Sequence, residues 1–424
     1  MRNEVAIVGG GWAGIACAVE LADHGVPVAL FESARQLGGR ARRVDWDGLA
    51  IDNGQHLMIG AYRETLRLLT RLGTPQDIER RPLQLRMPGF RLSLPPWPKP
   101  LHLGIGLLFA RGLSARDKLA ATRFMRHLQA THFALPHDMP VGSLLSLHKQ
   151  PANLIDKLWA PLCLAALNTP LAMASAQVFC NVLRDSLAGD RADSDLLFNR
   201  ADLGRLLADA APPFLLRRQC EIHTARKVDG LSRVADGFHL HGPECLTKRV
   251  VLAPHPARLP ALLANLAELA GMAEAMSRYT WQPIHTLWLR FSSPIRFPFP
   301  MLGLGDSQAP WAFERNDIAP GVVALVTSAD GPHLHLSAER LRDDYLRLLA
   351  GQLGALPELL GWKIIIEKRA TYACVVDQHR PDNRTPLAGL FLAGDFTAGD
   401  YPATLEGAVR SGVECARHII ADKK

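Results

Sequence analysis

Gly9-Gly10-Gly11-Trp12-Ala13-Gly14 is a G-x-G-x-x-G, and the apolar stretch that follows it, Val28-Ala29-Leu30-Phe31, closes on an acid, Glu32. These residue types at this spacing can bind a dinucleotide. The first glycine permits a tight turn, the second lets a pyrophosphate approach the backbone, and the third lets helix and strand pack closely. Trp12 and Ala13 would open a helix whose free N–H groups and positive dipole end face the phosphates. Glu32 stands where a carboxylate binds ribose hydroxyls. Towards the other end, Gly394-Asp395 follows a buried apolar run, and a helix is expected to begin near Ala403, with Thr404 and Leu405 in its first turn. Asp395 can accept a hydrogen bond from a hydroxyl or sit near a phosphate. Among the remaining acid–base side chains, His56 lies in Asp52-Asn53-Gly54-Gln55-His56, and Asp400 just precedes the C-terminal helix.

A lone G-x-G-x-x-G is weak, but here the elements that must position it also appear in order. Asn3 to Val8 is a short β-branched run expected as a buried parallel strand. Ile15 to His24 has helical composition and ends at Gly25, a suitable helix stop. Arg43 to Asp52 reads as a hairpin turning at Asp47-Gly48. Pro82 to Pro100 is proline-rich and reads as irregular chain leaving the nucleotide domain. Residues 143–210 read as mostly helical, with Leu158 to Asn168 apolar almost all round. Residues 280–291, 296–304 and 321–328 read as strands, and Ser337 to Leu349 as a helix with Ser337 at its N-cap. No second G-x-G-x-x-G follows, so no nicotinamide site is expected.

The chain has 424 residues, enough for two or three domains. Its 48% hydrophobic and 21% charged content exclude a disordered or fibrous protein. Seven scattered cysteines with no C-x-x-C argue against a disulfide framework or a dithiol site and suit a reducing cytoplasm. A net charge of +7 comes with no nucleic-acid-binding motif, so no nucleic-acid partner is expected. The first strand starts at once, leaving no room for a signal peptide, and no apolar run reaches a membrane span. His239 and His241 have ligand spacing, but no third ligand is suggested, so no metal is expected.

Gln36-Leu37-Gly38-Gly39-Arg40-Ala41-Arg42 resembles the second glycine doublet and arginine of the amine oxidase and carotenoid desaturase group of flavoproteins. The resemblance implies FAD rather than NAD, with Gly38 and Gly39 passing close to the cofactor and Arg40 near its phosphate or flavin. Asp52 to His56, followed by Gly60-Ala61-Tyr62, is similar to the squalene-associated bacterial branch of that group, the hydroxysqualene dehydroxylases. In that branch Gln55 and His56 would lie beneath the flavin ring. A strand around Ile222 would return the chain to the cofactor, and the helix at Thr404 and Leu405 would face the flavin. The implied reaction converts hydroxysqualene to squalene in bacterial squalene and hopanoid biosynthesis, with two electrons from an external donor. His56 is the preferred proton donor. Asp400 could serve only with a raised pKa in an apolar pocket, and Arg40 would polarise the flavin.

The expected fold is α/β: a Rossmann-like FAD-binding domain with a parallel sheet, plus an α+β substrate domain with a mainly antiparallel sheet and helices. Residues 1–80, 201–260 and 367–424 would form the first domain, and 81–200 and 261–366 the second. A C30 isoprenoid is nearly insoluble, so it would come from a bilayer or from a squalene-synthase-like partner. Leu101 to Ala110 is an apolar decapeptide beside a helix on which Arg116, Arg123 and Arg126 share a face, with Leu119, Phe124 and Met125 expected away from it. Region 101–126 is thus a candidate dock on the inner face of the cell membrane. The rival activities are a carotenoid desaturase, whose C-terminal motif is similar, and an amine oxidase. The latter is disfavoured because Thr404 stands where amine oxidases of this group often carry an aromatic wall. A non-catalytic flavin-bound partner of squalene synthases is the rival from outside enzymology.

Overall fold

The computed structural model describes residues 4–95, 97 and 101–423, with Leu101 described by its backbone alone. A five-stranded parallel sheet runs Glu221–His223, Val28–Phe31, Val5–Val8, Arg249–Leu252 and Leu390–Leu392 in spatial order. The central strands are wholly buried, which accounts for their unbroken apolar sequence. Helix Trp12–Asp23 connects strand Val5–Val8 to strand Val28–Phe31, and every residue from Trp12 to Ala22 is buried. Its cover is the C-terminal helix Leu405–Ala421. The two approach so closely that a Cβ on Gly412 would lie 2.1 Å from the Ala13 carbonyl oxygen. The Glu406 carboxylate, fully buried at the start of that helix, accepts from the Glu64 and Thr65 backbone N–H groups and the Thr65 hydroxyl. It thereby caps helix Arg63–Leu72 from the far end of the chain.

The second sheet is antiparallel, in the order Met301–Gly303, Trp311–Glu314, Val322–Ser328, Trp281–Phe291 and Leu359–Tyr372. Period-two alternation gives it two apolar faces. Leu287, Leu289, Val323 and Leu325 pack against helix Ala338–Leu353, for which Ser337 is the N-cap as expected. Trp288, Phe313 and Ala324 join the larger core on the opposite face.

Two local expectations change. The stretch from Pro82 contains a hairpin, Gln84–Met87 paired with Phe90–Ser93. It turns at Pro88-Gly89, where Gly89 has φ +68°, and the alternation of Leu85, Met87, Phe90 and Leu92 buries one face. Leu119 does not leave the basic face of helix Ala115–Ala130: it is exposed with Arg116, Arg123 and Arg126, whose spacing of three, four and three residues keeps all four on one side.

Candidate active site

A cavity of about 870 Å³ opens between the two sheets. The glycines of the fingerprint divide the work that their spacing implies. A Cβ on Gly9 would lie 2.4 Å from the Ala253 carbonyl oxygen, and one on Gly14 would lie 2.0 Å from the Gly9 carbonyl oxygen, so both positions serve packing. A Cβ on Gly11 would meet only the Gly39 Cα, at 3.8 Å, and otherwise faces the cavity. Gly38 donates to the Gly10 carbonyl at 2.8 Å, laying the two glycine segments side by side. The result is a cradle floored by backbone, beside the N-terminus of a buried helix, which fits a pyrophosphate. At its rim Glu32 Oε2 accepts from the Gly10 N–H at 2.7 Å, and Oε1 accepts from the Ala34 N–H at 2.7 Å. The carboxylate is thus held at the cavity wall where a ribose would lie.

Arg40 Nη2 donates to both oxygens of Asp395 at 2.7 Å, and Nη1 donates to the Ala370 carbonyl at 2.7 Å. The guanidinium therefore ties the doublet loop to the C-terminal turn while still lining the cavity. Arg380 fixes the same turn by donating to the carbonyls of Asp395, Gly399 and Tyr401. Beyond it, Thr404 caps the C-terminal helix, its hydroxyl accepting from the Gly407 N–H at 3.1 Å. Thr404, Leu405 and Ala408 line the cavity, so this helix end presents its positive dipole to the chamber. At Gly407 the missing Cβ makes room for the Pro402 carbonyl oxygen, 2.8 Å from where a Cβ would lie.

The loop Asp52 to His56 is set from below by a buried ionic network. Arg315 is 3% exposed. It pairs with Asp317 at 3.0 Å, donates to Gln55 Oε1 at 2.5 Å, and lies 3.6 Å from Asp52. Burial pushes the Asp52 carboxyl up to about 6 despite Arg315, while the Leu203 N–H donates to it at 2.7 Å. Above this network His56 faces the cavity, its Nδ1 2.6 Å from the Gly54 carbonyl, a distance that requires Nδ1–H to donate. Burial pulls its pKa down to about 4; the Arg40 charge adds to this and the Gly54 hydrogen bond opposes it. His56 is therefore mostly a neutral imidazole at pH 7, so the preferred proton donor is only a minor population in its charged form.

Of the residues expected at the site, Gly9, Gly11, Trp12, Ala13, Glu32, Gly38, Gly39, Arg40, Gln55, His56, Gly394, Asp395, Thr404 and Leu405 line this one cavity. Gly14 acts through packing. Ile222 does not reach the lining: it pairs with Leu30 within the parallel sheet and packs against the core, and Val228 lines the cavity in its neighbourhood. Asp400 is also outside the lining. Its carboxylate is 62% exposed and accepts from Arg184 at 2.9 Å, so the apolar pocket that an acid role required is missing. Arg315 escaped sequence reading, because its partner Gln55 lies 260 residues away. Beyond the cradle the walls turn apolar, with Leu83, Leu162, Ile284, Trp311, Phe313 and Val326.

A dinucleotide cradle joined to an apolar chamber beneath an antiparallel sheet defines an FAD-dependent oxidoreductase. Residues 12–420 match the model of the flavin-containing amine oxidoreductase family, and the chain belongs to that family. A hydroxysqualene dehydroxylase of Sinorhizobium fredii is 28% identical over 98% of both chains. A zeta-carotene desaturase of Synechocystis is 43% identical, but over 18% of this chain and 15% of its own. Among solved structures, wild-type putrescine oxidase bound to putrescine superposes with a TM-score of 0.74 at 17% identity, over 99% of both chains. That last likeness is one of fold.

Proposed function

We propose that the chain removes the hydroxyl of hydroxysqualene reductively, giving squalene, and so serves squalene or hopanoid synthesis. The observation that supports this above the alternatives is the extent of similarity. The dehydroxylase relative matches from end to end, whereas the desaturase matches one short stretch. The chamber walls suit a hydrocarbon, and Thr404 leaves the cavity without an aromatic cage at that position.

Gly11, Gly38, Gly39 and Glu32 would hold the dinucleotide part of FAD, and Asp395 with the Thr404 helix end would hold the flavin part. FAD held there and reduced by an external donor would supply the hydride that replaces the hydroxyl. The chain must do the rest. An allylic C–O bond breaks readily only if the departing oxygen takes a proton, so that water leaves, a C–H bond forms and the charges balance. We assign that proton to His56. With Nδ1–H committed to Gly54, Nε2 is free to hold the proton at the oxygen. Charging the imidazole at pH 7 costs about 4 kcal/mol, so the acid form is scarce and correspondingly strong. Arg315 holds the Gln55–His56 loop in register, and the apolar walls keep water from the allylic cation.

Incubation of the reduced, flavin-loaded protein with hydroxysqualene, phytoene or a primary amine tests the function directly. Squalene from the first, with the other two unchanged, is the expected result. Desaturated phytoene would instead make the chain a carotenoid desaturase, and no turnover of any of them would point to a non-catalytic flavoprotein.

The substrate's insolubility extends the proposal to a membrane surface. Leu108 and Phe109 are 62% and 76% exposed at the end of helix Leu101–Phe109, next to exposed Arg116, Leu119, Arg123 and Arg126. On its inner side, Leu103 and Leu107 of that helix pack with Leu83, Leu85 and Leu162, which also line the cavity. No helix among the described residues is long and apolar enough to cross a membrane, so docking would be at the interface. Flotation with anionic vesicles should carry the protein upward, less so as salt is raised. Equal recovery in the soluble fraction with and without vesicles would remove docking and leave delivery by a squalene-synthase-like partner.

A further inference from the structure

The three-stranded meander Gly230–Val234, Gly237–His241 and Cys245–Thr247 carries a side-chain cluster that the flavin chemistry does not use. His239 and His241 lie two apart on one strand, hence on one face, with ring centroids 4.7 Å apart. The turn after the strand brings back Glu244, a third ligand that sequence spacing does not reveal. Glu244 Oε2 lies 3.0 Å from His239 Nε2, while Oε1 accepts from the Gly242 N–H at 3.1 Å. One donor atom from each of the three residues falls within a span of 4.8 Å. Among the described residues, no other three His, Cys, Asp or Glu side chains are grouped so closely.

We propose that His239, His241 and Glu244 form a binding site for one divalent transition-metal ion, with Zn²⁺ the best match. Two imidazoles and a carboxylate, with no thiolate, suit a borderline cation rather than Ca²⁺ or Mg²⁺, which take oxygen donors. Ligands at Zn–N and Zn–O distances of about 2 Å lie roughly 3–3.5 Å from one another around a tetrahedral ion. Glu244, with a side chain 66% exposed, is free to close the remaining gap. Ser232 Oγ, 3.1 Å from His241 Nε2, steadies the second ring from the neighbouring strand, as outer partners of ligating histidines do. Three protein ligands leave the fourth position to water. None of the three residues lines the flavin cavity, so the ion is a clip on the meander and not part of the redox centre. The Asp229 N–H donates to the His241 carbonyl at 3.0 Å, so the clip also steadies the strand that continues from the cavity-lining segment 226–228.

The test is calorimetric titration of tag-free, chelator-treated, flavin-loaded protein with Zn²⁺, with thermal unfolding followed in parallel. One equivalent should bind, and the unfolding temperature should rise with Zn²⁺ to the extent that the ion binds the folded chain more tightly than the unfolded one. His239→Gln should weaken binding by about tenfold or more. Glu244→Asn should do the same while leaving the fold intact, because asparagine tolerates the left-handed turn that Glu244 occupies at φ +52°. The flavin spectrum reports that each variant is folded. A wild-type chain that takes up no Zn²⁺, or variants that titrate like wild type, would overturn the proposal.

Discussion

A Gly11→Val chain is expected to fold normally yet purify colourless, without FAD. The backbone at Gly11 is extended, with φ −78° and ψ −177°, a conformation open to any residue. The new Cβ would have one neighbour, at 3.8 Å, so a side chain there neither strains the turn nor strikes protein at its Cβ. Its methyl groups would instead occupy the cradle between the two glycine segments, where a pyrophosphate must approach the backbone. Alanine at Gly9 or Gly14 fails differently. There the Cβ strikes a carbonyl oxygen at 2.4 or 2.0 Å, and Gly9 also has φ +112°, so those chains lose stability along with flavin. Far-UV circular dichroism with flavin absorbance separates the two outcomes. A folded Gly11→Val protein with a full complement of FAD would show that the cradle is not the cofactor site. Wild-type flavin should be released by hot-acid denaturation as a yellow supernatant; flavin that stays with the precipitate would mean a covalent bond.

The second large effect falls on His56. His56→Ala should keep FAD, be reduced normally by dithionite, and turn over hydroxysqualene ~10²–10⁴-fold more slowly, the usual loss for a missing general acid. The pH profile supplies the sharper criterion. Burial holds the imidazole at a pKa of about 4, so the protonated fraction is minor at pH 7 and grows as pH falls. Wild-type kcat should therefore rise by about tenfold per unit between pH 7 and 5, and His56→Ala should lack that slope. Asp400→Asn should stay within a few-fold of wild type, because its carboxylate points away from the cavity to Arg184. A variant at position 56 with wild-type turnover would exclude the histidine, and a collapse at Asp400 would reverse the assignment.

What the sequence made legible was local. Gly9 to Glu32 reads as strand, turn, helix and strand because each signal lies within a few residues of the next. Gly394 to Glu406 reads in the same way. What it hid depends on chain returning from far away. Arg315 looks like an ordinary charge after a strand until the second sheet folds it beneath Gln55. His56 carries no sign of its depressed pKa, because the burial that causes it comes from other segments. Asp400 stands next to the right helix in sequence, but Arg184 on helix Ala176–Ser186 draws it outward. Glu244 was passed over as a ligand because a turn, not a periodic spacing, returns it to His239.

The pairing of helix Trp12–Asp23 with helix Leu405–Ala421 bears on biosynthesis. A chain emerging amino terminus first exposes the fingerprint early, yet the first helix keeps an uncovered apolar flank until hundreds of residues later. Strand Arg249–Leu252 also waits for a later segment, Leu390–Leu392, with its edge open to unintended pairing. Asp395 and the Thr404 helix end also arrive with that late segment, so on the proposed assignment flavin capture would follow its docking and would not rescue the nascent amino-terminal half. Shielding of that half by chaperones during translation would then govern yield more than flavin supply does.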